Sequence, residues 1–116
     1  MEWMKIVNGH VMWKQRLRDY LEGKSEEKLD PEVIGRDDHC ALGQWIYGDG
    51  KAHESATHYA QVKTNHAQFH THAAEIVRMV DAGNHDAAEK LLTGDYAKLS
   101  ERLKHEIITL YQEVSG

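Results

Sequence analysis

Three apolar stripes at helical spacing, with histidines set inside them, constrain this chain more than anything else in it. The first carries Trp3, Ile6, His10, Trp13, Leu17 and Tyr20, at steps of 3, 4, 3, 4 and 3. Such steps place every one of these side chains on one face of an α-helix. The second runs through Tyr59, Val62, His66, Phe69, His70, Ala73, Ile76, Val77 and Val80, and the third through Tyr96, Leu99, Leu103, Ile107, Leu110 and Val114. Strand-type alternation is absent, and one proline interrupts the chain, at Pro31. Each stripe must be buried against another, so the expectation is an all-α fold: an antiparallel, four-helix-bundle-like packing of three long and two short helices.

Punctuation between the stripes sets the expected boundaries. The first helix should continue through Gly9 to about Glu22 and end at Gly23, although a mid-helix glycine costs about 1 kcal/mol. Residues 24–36 read as a connector, with Asp30-Pro31 as a turn and Gly35 as a stop. Leu29, Val33 and Ile34 are its candidates for contact with the bundle. A short helix follows, capped by Asp37 or Asp38, holding Cys40 near its start and ending at Gly48. The long second stripe is expected from about Ser55 to Gly83. Asp86 and Glu89 resemble a capping box for a second short helix through Leu91 and Leu92.

With 116 residues the chain is expected to be a single domain, 1–116, able to bury a modest core. A net charge of -5, with its basic residues scattered, argues against nucleic-acid binding. No run approaches the roughly 18 apolar residues of a membrane span, and the first residues do not read as a signal peptide. One cysteine cannot form an internal disulfide. These features together fit a cytoplasmic protein with no membrane insertion.

Nine histidines in so short a chain are an excess. His66 and His70 are one turn apart on one helix face, the spacing at which two imidazoles reach one ion. His10 sits inward on another helix. Buried imidazoles need partners for their nitrogens, and a shared metal satisfies three at once. Cys40 offers a fourth donor, and sulfur with imidazole suits zinc or copper better than magnesium or calcium. Its place at a helix start should favour the thiolate. His10, Cys40, His66 and His70 are therefore the candidate metal ligands, a complete set for one closed tetrahedral Zn2+ per chain. Asp37, Asp38 and Glu75 are candidate partners for the outer nitrogens of the imidazoles. His39, His53, His58, His72, His85 and His105 read as surface residues.

The residues also match known motifs. His10-Val11-Met12-Trp13-Lys14 resembles the HxxWK opening of the chemoreceptor zinc-binding (CZB) domain family. Cys40-Ala41-Leu42-Gly43-Gln44-Trp45 is similar to that family's Cx(L/F)GxW core, and His66 with His70 to its HxxxH pair. The likeness extends over about residues 8–114. It implies that His10, Cys40, His66 and His70 hold zinc, in a helical, often homodimeric sensory module of bacterial signal transduction. Such modules act on chemoreceptors or diguanylate cyclases, in chemotaxis or cyclic-di-GMP control. The output partner here would act in cis or in trans, the chain being a stand-alone member or a piece of a larger protein. Two signals are open: zinc itself, its occupancy changing the packing of the long helices, and oxidation at Cys40, since the resemblance also implies sensing of hypochlorous acid through the zinc-bound cysteine. The short helix carrying Cys40, tethered by Gly35, Gly43 and Gly48, is the element placed to move. A closed four-ligand site leaves no position for a substrate water, so the expectation is a regulator and not an enzyme. Two alternatives are a hemerythrin-like di-iron oxygen-binding bundle and a metal-free dimerisation module.

Overall fold

A computed structural model describes residues 2–115. Among the described residues there are six α-helices and one 3-10 turn: α1 (Trp3–Leu21), α2 (Pro31–Ile34), α3 (Ala41–Tyr47), the turn Asp49–His53, α4 (Tyr59–Asp81), α5 (His85–Thr93) and α6 (Asp95–Ser115). No strand occurs among the described residues. The three stripes are α1, α4 and α6, and α2 adds a single turn within the connector.

Pairings between the long helices fix their directions. His58 meets Glu113, Asn65 meets Glu106 and Phe69 meets Tyr96, so α4 and α6 run antiparallel. His10 meets His66 while Tyr20 meets Asp81, so α1 and α4 run parallel and α6 opposes both. Parallel neighbours need a long return. Residues 22–58 supply it, descending the bundle from the end of α1 to the start of α4. That descent carries α2 and α3 past the middle of α1 and α4, where the inward histidines lie.

Both α1 and α4 end as glycine dictates. Gly23 and Gly83 have φ of 73° and 83°, a left-handed conformation that costs glycine little. Behind each, a 6→1 hydrogen bond closes the helix, Lys24 N–H to Asp19 O at 2.8 Å and Asn84 N–H to Met79 O at 2.8 Å. Gly9 leaves α1 unbroken and faces open space. Leu17, Phe69, Ile76, Leu103, Ile107 and Leu110 are wholly enclosed between the long helices. Leu29 and Ile34 pin the connector to this core, whereas Val33 stays exposed.

Several boundaries differ from expectation, each for a local reason. Cys40 itself is the N-cap of α3, its sulfur accepting from Gly43 N–H, so neither Asp37 nor Asp38 caps that helix. Their carboxylates are engaged by Tyr47 and Arg36. α4 begins at Tyr59 and not near Ser55, because residues 55–58 form turns. The expected capping box of α5 does not form: Asn84 is the N-cap, without a side-chain bond, and Glu89 pairs with Arg18 at 2.7 Å.

Candidate metal centre

Three helices deliver the four expected residues to one point. His66 and His70 project from successive turns of α4, with Phe69 packed beside His10 at 5.3 Å between ring centres. His10 comes from the middle of α1, and Cys40 from the start of α3. Their donor atoms all lie within 4.8 Å of one another. The Nε2 atoms of His66 and His10 are 3.1 Å apart, and those of His70 and His66 are 3.0 Å apart. Cys40 Sγ lies 3.1, 3.7 and 3.9 Å from Nε2 of His66, His70 and His10. Around a tetrahedral zinc, bond lengths near 2.05 Å to nitrogen and 2.3 Å to sulfur give edges of about 3.3 Å between nitrogens and about 3.6 Å between sulfur and nitrogen. The sulfur–nitrogen edges bracket their value, and the two nitrogen–nitrogen edges fall about 0.2–0.3 Å short of theirs.

Proton placement fits the same conclusion. His10 Nδ1–H donates to the Ile6 carbonyl at 2.7 Å, and His70 Nδ1–H to the Ile34 carbonyl at 2.8 Å. A carbonyl only accepts, so these Nδ1 atoms carry the protons and the Nε2 lone pairs turn toward the cluster. Lone pairs facing one another at such distances repel unless a cation lies among them. Burial makes protonation a poor alternative: it lowers the pKa of His10 to about 4 and of His66 to about 2, and lowers that of His70. In this state burial also pushes the Cys40 thiol up, outweighing the N–H groups of Gly43 and Leu42 that the helix start offers it. The expectation that the helix start alone favours the thiolate is thus corrected. A bound cation reverses the balance, since a coordinating thiol is deprotonated outright.

The outer nitrogens are served by the main chain and not by carboxylates. Asp37 accepts from Tyr47, Asp38 from Arg36, and Glu75 lies 3.7 Å from His72. The carbonyls of Ile6 and Ile34 carried no sequence signal, because every residue has one. His66 Nδ1 is buried with no partner. The remaining histidines stand apart from the centre. His39, His85 and His105 are exposed, His53 lies against Trp45, and His58 pairs with Glu113 at 2.5 Å. His72 is more enclosed than expected, with 17% of its side chain exposed. Among the described residues the metal-competent group contains no carboxylate, whereas a bundle di-iron centre needs several.

The family model of the chemoreceptor zinc-binding domain matches residues 10–77, more than half the chain. The chain belongs to the CZB family. That description names a binding domain, not a catalytic one, and zinc is the ion it specifies. The matched span opens on His10 and closes two turns beyond His70, so it contains one His3Cys site for zinc. No curated protein and no solved structure matches the chain. Among the described residues of this CZB domain no helix is long and apolar enough to cross a membrane.

Proposed function

We propose that His10, Cys40, His66 and His70 together hold one Zn2+, and that residues 1–116 act as a single sensory domain whose state is set at this centre. The observation that carries the reading is the convergence of three Nε2 atoms and one sulfur within 4.8 Å, on imidazoles that burial keeps neutral. When bound, the ion supplies Lewis acidity that holds the Cys40 sulfur as a thiolate at neutral pH. Ile6 and Ile34 orient two of the imidazoles through their Nδ1 protons. Four protein donors complete a tetrahedron, an arrangement suited to structure and signalling and not to hydrolysis.

Cys40 is the part of the centre suited to receive a chemical signal. Of the four residues it alone is not fully buried. Oxidation of its thiolate to sulfenic acid replaces a soft donor with a bulkier, weaker one. The sulfur also caps α3, so the same change removes the acceptor for Gly43 N–H. α3 then loses its hold on the bundle, and the change passes to an output domain of a chemoreceptor or diguanylate cyclase, in cis or in trans. A cytoplasmic, homodimeric setting completes this reading. The chemoreceptor description of the family supports the link to an output domain of signal transduction.

Metal analysis of the purified protein by mass spectrometry tests the site, beside Cys40→Ala and an oxidant titration. One zinc per chain, weaker retention in the variant, and zinc release on adding hypochlorous acid are expected. No zinc after zinc is offered overturns the site. Undiminished oxidant-driven release from Cys40→Ala overturns the sensing role.

A further inference from the structure

The histidines of the centre are nearly enclosed, with exposures of 8% for His10, 0% for His66 and 5% for His70, whereas Cys40 is only partly buried. A reagent must therefore arrive at the sulfur. Two clefts have Cys40 in their walls. One, of about 430 Å³, lies between α1 and the connector and is lined by Trp13, Leu29, Val33 and Ile34, with Cys40 and His70. The other, of about 330 Å³, lies between α1 and α3 and includes Ile6, Gly9, Ala41 and Leu42. Trp13 and Arg16 belong to both. The Arg16 guanidinium lies 3.8 Å over the Trp13 ring and bonds both oxygens of Glu27, at 3.0 and 3.2 Å. That contact ties the connector to α1 across the larger cleft.

The charges around the larger cleft cancel. Arg16 is matched by Glu27 and Arg36 by Asp38, which leaves Lys28 and Asp30, of opposite sign. Nothing there gathers an ion, and an ion moving along Trp13, Leu29, Val33 and Ile34 would shed water without replacement. The volume is in the range of small-molecule sites, far larger than a simple oxidant, so polarity and not size does the selecting.

We propose that the cleft between α1 and the 24–36 connector is the route by which small uncharged electrophiles reach the Cys40 sulfur, with Val33 setting the polarity of the route. The proposal rests on the reading of Cys40 as the reactive ligand. From a peroxide the thiolate sulfur takes the hydroxyl: the S–O bond forms, the O–O bond breaks, the other oxygen departs with the bonding pair, and the two oxygens are reduced as sulfur loses two electrons. From a hypohalous acid the sulfur takes the halogen as hydroxide leaves with the bonding pair, and water then displaces halide to give the same sulfenic acid; sulfur again loses two electrons and the halogen is reduced to halide.

The test uses zinc-loaded protein and two alkylating agents of similar size, uncharged iodoacetamide and anionic iodoacetate. In each, sulfur forms a bond to carbon and iodide leaves with its electron pair. The rate of Cys40 modification is followed by mass spectrometry and divided by the rate on free cysteine. Iodoacetamide should be favoured roughly tenfold. Val33 is exposed, so Val33→Trp should narrow the cleft without disturbing the fold or zinc content, and slow iodoacetamide roughly tenfold. Val33→Glu, which charges the wall without filling it, should leave iodoacetamide within about threefold and slow iodoacetate further. Gly9→Trp is the control for the other cleft, because a Cβ there meets nothing within 4 Å; it should change neither rate by more than about twofold. An unchanged rate in Val33→Trp, a loss that follows Gly9→Trp, equal normalised rates for the two agents, or an unreactive Cys40 would each overturn the route. Zinc content and oxidant-driven release are read on the same samples. A failed route with zinc held and released leaves the sensing reading standing, whereas a sound route with no oxidant response sinks that reading alone.

Discussion

The two sides of the metal centre are built differently. The histidine side stands on long helices: α1 has 19 residues and α4 has 23, and both are packed along their length on α6. The cysteine side is a seven-residue helix on a long return segment, held by its own cap, by Leu42 and Ile46 in the core, and by contacts on either side of them. At one end Gly43 presses against the Asp37 carbonyl. At the other Trp45 packs on Trp3 at 5.0 Å, and Trp3 on Tyr111 at 5.5 Å. Helices that bury a continuous apolar face hold their place without help. A short segment anchored by two core residues has less to lose on opening locally than a helix anchored along its whole length. The difference teaches that three donors are presented by the fold, while the fourth arrives with a segment that the metal would help to hold.

Removing donors or metal gives the largest expected effect and the most direct way to break this contrast. Outer partners of metal ligands already account for 10- to 100-fold in affinity, so His66→Ala and Cys40→Ala should each weaken zinc binding by more than about 100-fold. Their structural consequences should differ from wholesale unfolding. Chelation should raise amide exchange across residues 24–58 while α1, α4 and α6 stay protected. Circular dichroism should change little. A chelated protein that lost all protection together would show the two sides to be one cooperative unit.

Gly43→Ala strikes the cysteine side without touching a donor. A Cβ at Gly43 would lie 1.6 Å from the Asp37 carbonyl oxygen, so the turn before α3 must move. Overpacking of this kind costs about 1–3 kcal/mol. Reduced zinc affinity should accompany it, measured by competition with a chromogenic chelator, because Cys40 caps the same helix. Unaltered affinity would mean that the sulfur is placed by something other than its seat on α3.

Acid probes the histidine side. His10 and His66 have folded-state pKa values lowered to about 4 and about 2 from the ordinary 6.5, chiefly by burial. Above 6.5 the imidazoles are neutral both folded and unfolded, so they cost nothing. Below 6.5 the unfolded chain binds protons that the folded chain refuses. Stability therefore falls as pH drops from 6.5 toward 4 for His10, and on toward 2 for His66. The denaturation midpoint of the metal-free protein should be level above pH 7 and decline below 6.5. Cys40→Ala should keep that decline, since its origin lies in the imidazoles. Zinc should leave over the same range, as protons compete for the Cys40 thiolate and for the imidazoles of the unfolded chain.

What was legible in the sequence follows the same division. The stripes of α1, α4 and α6 were readable because burial imposes a helical period on side chains, and His10, His66 and His70 were conspicuous as polar residues in apolar register. Cys40 was readable as a donor but not as a cap. Capping depends on where one φ/ψ pair leaves the helix, and Asp37 and Asp38 were stronger candidates by residue type. The Ile6 and Ile34 carbonyls were invisible, since backbone groups bear no residue signature. The expected antiparallel packing holds for α6 against α1 and α4 but not between α1 and α4, which run parallel because the long return segment carries the chain back along the bundle.

Gly9→Ala is the smallest expected effect and sharpens the contrast from the stable side. Gly9 immediately precedes His10 within α1, is exposed, and has open space where a Cβ would sit. Alanine there removes backbone freedom from the unfolded chain and meets no neighbour, so it should stabilise the domain by about 0.5–1 kcal/mol. For a domain of this size that raises the thermal midpoint by roughly 2–5 °C, measurable by calorimetry on the metal-free protein. If α1 is already formed before metal arrives, the gain appears equally with and without zinc, and zinc affinity stays within about twofold. A larger gain in affinity would mean that α1 orders on binding. His10 would then belong with Cys40 on the segment the metal recruits, leaving only α4 as the prepared half of the site.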